Sequence, residues 1–134
     1  MIIKTLKKEV VKAFKHDEVP VSALIIFNGR IISKAHNKTV KSHNPIYHAE
    51  VIAILKAAKK LKTFNLSQCV LYTALKPCKM CEEIIKASRI KCIKYILESD
   101  KIVNNKIIIE KENVNEEDRI FFENKLKTFF KAKR

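Results

Sequence analysis

The sequence predicts an α/β domain built on a mixed five-stranded sheet flanked by helices. Helical apolar spacing alternates with short apolar runs of strand type. One Asn28-Gly29 pair sits between two of those runs, which makes the first two strands an antiparallel hairpin. The later strands are separated by helical segments, and such crossovers join parallel strands.

The elements follow in order. Ile3, Leu6, Val10 and Phe14 recur at helical spacing and predict an amphipathic first helix ending near Asp17. Val21 to Phe27 and Arg30 to Ala35 are the hairpin strands, and both turn positions between them need positive φ. Asn37 to Tyr47 is polar, contains Pro45 and reads as a loop. From His48 to about Lys62, Val51, Leu55, Ala58 and Leu61 mark a second helix. Val70 to Ala74 is a buried strand. Pro77 opens a helix running to about Ser88, since proline suits a first helical turn where its missing N–H is not needed. Cys92 to Leu97 and Lys106 to Glu110 are the last two strands. The final helix starts near Glu116 with Asn115 as its cap; acids open it and basic residues close it, matching the helix dipole.

A length of 134 residues fits one domain, 1–134, with enough chain for a core without staples. The longest apolar stretch, Ala23 to Phe27, is far too short to cross a bilayer, and Met1-Ile2-Ile3-Lys4 lacks signal-peptide order. These features predict a soluble, intracellular, cytoplasmic protein. In a reducing compartment Cys69, Cys78, Cys81 and Cys92 do not form two disulfides. The net charge of +14 suits a polyanion such as RNA, and the lysine, asparagine and isoleucine excess of an A+T-rich genome accounts for it equally well.

Two motifs carry chemistry: His48-Ala49-Glu50 and Pro77-Cys78-Lys79-Met80-Cys81. Alone, the first is ordinary helix surface. The second alone fits a redox pair, half a structural zinc site or two core cysteines. Together they supply one imidazole and two thiolates. A structural zinc site needs a fourth ligand, for which His16, His36 and His43 remain, while Cys69 and Cys92 fall in predicted strands as small apolar residues. Three ligands with an open position is the catalytic pattern. Both motifs fall at predicted helix starts, whose free N–H groups favour thiolate and hydroxide. Glu50 sits near the metal without binding it, as a proton shuttle requires.

His-x-Glu followed by Pro-Cys-x-x-Cys resembles the signature of the zinc-dependent cytidine and deoxycytidylate deaminase superfamily. Within it the chain is most similar to bacterial tRNA-specific adenosine deaminases. Glu18-Val19-Pro20-Val21, Asn37, His43-Asn44-Pro45, Leu71-Tyr72, Ser88-Arg89-Ile90, Phe129-Phe130 and Arg134 extend the likeness, strongest over Glu18 to Tyr95. Three departures fall near the substrate: Lys76 where the family has glutamate, Ile46-Tyr47 where it has Thr-Ala, and a rebuilt stretch from Ile96 to Lys101 in which Asp100 stands in for an aspartate.

The resemblance implies a three-layer cytidine-deaminase-like fold and one Zn2+ per chain on His48, Cys78 and Cys81, with Glu50 as the catalytic acid/base. It implies hydrolytic adenosine-to-inosine conversion at the tRNA wobble position, by a homodimer. Asn37 would contact the base, with Val19, Leu75 and Tyr47 around it. Lys127, Lys131, Lys133 and Arg134 would meet RNA phosphates, although dipole complementarity explains the same basic run. Two rivals remain: a deaminase of a free base or nucleoside of guanine or cytosine type, and a non-catalytic zinc-stabilised RNA-binding module, against which the presence of Glu50 argues.

Overall fold

The computed structural model describes residues 1–98 and 108–133. Its elements are α1 (Ile2–Lys15), β1 (Ser22–Phe27), β2 (Arg30–His36), α2 (Ala49–Leu61), β3 (Val70–Leu75), α3 (Lys79–Ala87), β4 (Cys92–Leu97), β5 (Ile108–Lys111) and α4 (Glu116–Ala132). Strands lie in the order β2-β1-β3-β4-β5. β1 pairs antiparallel with β2 and β3, while β3–β4 and β4–β5 are parallel. The expected mixed sheet is thus observed. Lys106, Ser99 to Lys101 and Arg134 lie outside the described residues, and with them the Asp100 expectation.

The hairpin turn forms as its sequence requires. Asn28 has φ 50° and Gly29 φ 75°, the left-handed pair of a two-residue hairpin turn whose twist matches that of the strands. Pairing then shifts by one residue, from Ile26↔Ile31 to Ile25↔Ser33, leaving Ile32 as a bulge in β2.

Two apolar cores cover the two faces of the sheet. Ala23 and Ile25 of β1 point to one side, with Ala49, Ala53 and Ala57 of α2 and Ile85 of α3. Leu24 and Ile26 point to the other, with Leu6 and Val10 of α1 and Phe122 of α4. Helices on both faces make three layers, and burial on both sides explains the unbroken apolar run of β1. The alanines of α2 recur every fourth residue, so that helix can approach the sheet closely.

Two details differ from the sequence expectation. Leu55 was expected on the inner stripe of α2, yet it is 51% exposed, because the buried face runs through Ala49, Ala53 and Ala57 and Val51, Ile52 and Ile54 fill its flanks. Pro77 was expected inside the first turn of α3. Cys78 instead holds the N-cap position with extended backbone, so Pro77 precedes the helix. Asn115 caps α4 as expected, its side-chain oxygen accepting from the Asp118 N–H at 2.8 Å.

A buried ion pair ties α1 to the end of β2. His36 Nδ1 donates to Glu9 Oε1 at 3.0 Å, and Lys12 Nζ lies 3.0 Å from Glu9 Oε2. Burial pushes the Glu9 carboxyl up, but the hydrogen bonds and charges of His36 and Lys12 outweigh it and hold it at about 2. A depressed carboxyl stabilises the fold above its unfolded value and loses that contribution as pH falls through the folded one. Wild type is therefore expected to exceed Glu9→Gln by about 2–3 kcal/mol near neutrality, with the gap closing between roughly pH 4.5 and pH 2. Thermal unfolding of both proteins across that window tests this; a pH-independent difference contradicts it.

Candidate active site and metal centre

The parallel strands and the hairpin bring three chain segments to one end of the sheet. β2 ends at His36 and delivers Asn37; β3 ends at Leu75 and delivers Lys76, Pro77 and Cys78. His48 is the N-cap of α2 and Cys78 the N-cap of α3, both with extended backbone, so two helix N-termini converge there. Ligands gather at such strand ends in open α/β sheets.

His48 Nδ1 lies 3.4 Å from Cys81 Sγ and 3.8 Å from Cys78 Sγ. The three donor atoms are all within 4.8 Å of one another. A tetrahedral zinc with ordinary bond lengths separates its nitrogen and sulfur ligands by about 3.5 Å. The donor set and its spacing therefore fit zinc. Among the described residues this is the one such cluster of histidine, cysteine and carboxylate groups, and His16, His36 and His43 are not part of it. Cys81 is fully buried. Burial, then the charges of Glu50 and Cys78, push its thiol up, an effect that a bound cation reverses.

Glu50 lies in the first turn of α2, only 4% exposed. Burial pushes its carboxyl up to about 7, against smaller opposing effects from its own backbone N–H and from Cys81. Such a group can both take and give a proton at neutral pH.

A cavity of about 340 Å³ opens in front of these groups, a size typical of small-ligand sites. Val19, Asn37, Leu75, His48, Glu50 and Cys78 line it, so the structure brings most of the expected residues together. Tyr47 does not line it; its ring packs against the apolar core between the sheet and α2. Asn37 is buried, and its Oδ1 accepts from the Ala49 N–H at 2.7 Å. That bond fixes the side chain and leaves its NH2 group as a donor for a ligand.

Glu18, also buried, clamps the loop that follows Asn37. Its carboxylate accepts from the N–H groups of Val40 at 3.0 Å and Lys41 at 2.8 Å and from the Thr39 hydroxyl at 3.3 Å. Val19 beside it and Thr39 opposite both line the cavity. Sequence reasoning missed Thr39, Val21 and Phe130 as wall residues. Phe130 is 49% exposed and offers a face on which a base can stack. Its place in the terminal Phe-Phe pair was the available signal. Lys76, noted only as a departure, lines the same cavity; its ammonium lies over the Tyr95 ring and 3.7 Å from Glu98.

The proposed phosphate contacts lie on α4. Lys127 pairs with Glu123 at 2.6 Å, and Lys133 pairs with Asp17. Lys131 sits in the last helical turn.

The MafB19-like deaminase profile matches residues 1–134. The chain belongs to the MafB19-like deaminase family. It is 44% identical over 89 residues to the tRNA-specific adenosine deaminase of Aquifex aeolicus, a match covering 66% of this chain and 59% of that protein. It is 37% identical over 131 residues to the tRNA-specific adenosine deaminase of Buchnera aphidicola, covering 87% and 78%. The crystal structure of Bacillus subtilis guanine deaminase superposes with a TM-score of 0.67 at 35% identity, covering 72% of this chain and 62% of that one. Deaminase relatives with a mixed α/β sheet bear out both the resemblance read from the motifs and the fold class. Among the described residues, no helix is long and apolar enough to cross a membrane.

Proposed function

We propose that this chain is a zinc-dependent hydrolytic deaminase acting on adenosine at the wobble position of a tRNA anticodon, in the cytoplasm and as a homodimer. The observation that carries the reading is the buried Glu50 carboxyl lining one cavity with His48 and Cys78, which cluster with Cys81. Relatives from Aquifex aeolicus, Rickettsia bellii and Buchnera aphidicola bear the name tRNA-specific adenosine deaminase. The exposed Leu55 and Phe64 side chains offer apolar surface to a second copy.

Zinc bound at the cluster would supply the Lewis acidity that makes water nucleophilic at neutral pH. The chain's own residues do the rest. Glu50 takes a proton from the attacking water and delivers it to N1 of the purine. It then takes the remaining hydroxyl proton and passes it to the departing amine. Adenosine plus water becomes inosine plus ammonia. Asn37, locked by the Ala49 N–H, donates from its NH2 group to a ring nitrogen and turns C6 toward the His48–Cys78–Cys81 cluster. Phe130 covers the base, and the apolar Val19, Val21 and Leu75 keep other water out.

A specific observation favours a second reading, deamination of free guanine. Lys76 lines the cavity with its ammonium held beside Glu98, and guanine offers a cation a carbonyl oxygen that adenine lacks. Incubation with tRNA, adenosine and guanine, scored for inosine and for ammonia, separates the two. Asn37→Ala is expected to lower turnover about 10²-fold even at saturating substrate, since a base misplaced by about 1 Å loses that much. An unchanged kcat with only a raised KM removes Asn37 from the positioning role.

A further inference from the structure

Among the described residues a cluster of positive charge lies at the edge of the sheet, away from the C-terminal helix. β2 is an edge strand, and Lys34 is exposed on it. Lys56 reaches across from α2, its ammonium donating to the Lys34 carbonyl at 2.9 Å. Lys12 reaches from α1 on the other face of the sheet, and Lys38 follows β2 in the loop. Glu9 is the opposing charge here, and its carboxylate is already engaged by His36 and Lys12. Lys34, Lys38 and Lys56 make no ion pair with a carboxylate among the described residues. By contrast, Lys127, Lys133 and Arg119 on α4 each hold a carboxylate.

A single lysine suffices to blunt an edge strand. Lys34, Lys38 and Lys56 repel one another around one edge, with Lys12 shared with Glu9 beside them, and that repulsion is relieved when an anion binds. Burial, then the charge of Lys38, with Lys12 and Lys34 adding and Glu9 opposing, pushes the Lys56 ammonium below its ordinary value. The face also adjoins the cavity. Lys38 stands between Asn37 and Thr39, both of which line it, and about 10 Å of extended chain separates Lys34 from Asn37.

We propose that Lys12, Lys34, Lys38 and Lys56 form a phosphate-binding face that grips the RNA backbone flanking the nucleotide in the cavity. This rests on the reading of the substrate as RNA. The phosphates of a polynucleotide whose base occupies the cavity must leave along one of its walls, and the wall at Asn37–Thr39 is continuous along the chain with Lys38 and the β2 edge. Lys127 and Lys133, held by Glu123 and Asp17, are the lesser contributors.

The test compares two triple variants of the zinc-loaded protein: Lys34→Gln/Lys38→Gln/Lys56→Gln and Lys127→Gln/Lys131→Gln/Lys133→Gln. Affinity for tRNA is measured over a salt series, with melting temperature as the check on folding. The β2-edge variant is expected to bind about 10–100-fold more weakly at 0.1 M salt, and its plot of log affinity against log salt should flatten by about 2. The C-terminal variant should change far less. Photo-crosslinked tRNA supplies a measurement on the unaltered chain, expected at peptides carrying Lys34, Lys38 or Lys56. An edge variant that keeps wild-type affinity and salt slope, or crosslinks confined to α4, overturns the proposal while leaving the tRNA reading intact. A wild-type protein that neither binds nor converts tRNA overturns both. Loss of binding to anionic vesicles with tRNA binding unchanged assigns the face to a membrane surface and overturns the RNA role.

Discussion

Glu50→Ala is expected to abolish deamination while leaving the fold and the bound metal in place. The carboxyl is buried in the first turn of α2, outside the His48, Cys78 and Cys81 donor set. Removing it therefore deletes a proton carrier and no ligand. A single general acid/base contribution is worth about 10²–10⁴-fold. In the proposed mechanism one carboxyl serves water, N1 and the departing amine in succession, so the loss should reach or exceed the upper end of that range. Glu50→Gln keeps the volume and loses the proton, and should be equally inactive, which separates proton transfer from packing. Measurement of kcat, zinc content and melting temperature on both variants decides the matter. Turnover within tenfold of wild type in either one moves the proton role to another residue.

Much of the fold was legible because it depends on local chemistry. Asn28-Gly29 specifies its turn through positive φ at two successive positions, and Asn115 with three following acids specifies the start of α4. The candidate donor cluster of His48, Cys78 and Cys81 was legible because residue type and spacing restrict what such side chains can bind. Other features were hidden because they depend on layers stacking. The α2 pattern offers two apolar stripes, and only the sheet selects the alanine stripe over the one containing Leu55. Tyr47 was assigned to the cavity as a bulky departure from the Thr-Ala of the family it resembles, but its partly buried ring packs against the core. Phe130 arrives at the cavity from the far end of the chain, and Glu18 clamps a loop more than twenty residues away; neither contact has a periodicity to read. The basic face at β2 is likewise invisible in sequence, where Lys12, Lys34, Lys38 and Lys56 are four lysines among many. Their convergence comes from two helices meeting one strand edge from opposite faces.

Replacing either thiolate should cost the metal itself. Three side chains supply the donor atoms, and no other histidine, cysteine or carboxylate among the described residues joins the cluster. Cys78→Ala and Cys81→Ala should each weaken zinc binding by more than about 100-fold, since even outer-shell changes at metal sites cost about 10–100-fold. Both variants should lose deamination. The two should differ in stability. Cys78 caps α3 at the half-exposed cavity wall, whereas Cys81 is fully buried, so only the second substitution leaves a void. The protein as a whole should survive metal loss, because the two apolar cores on either side of the sheet are built without the cluster's histidine. Chelation should therefore lower the melting temperature and leave unfolding cooperative. Cobalt substituted for zinc gives an independent readout through its thiolate charge-transfer absorption, expected in wild type, reduced in each single variant and absent in the double variant. Full zinc retention in the Cys78→Ala/Cys81→Ala double variant would falsify the three-ligand assignment, and a chain purified with no metal and able to bind none would do the same.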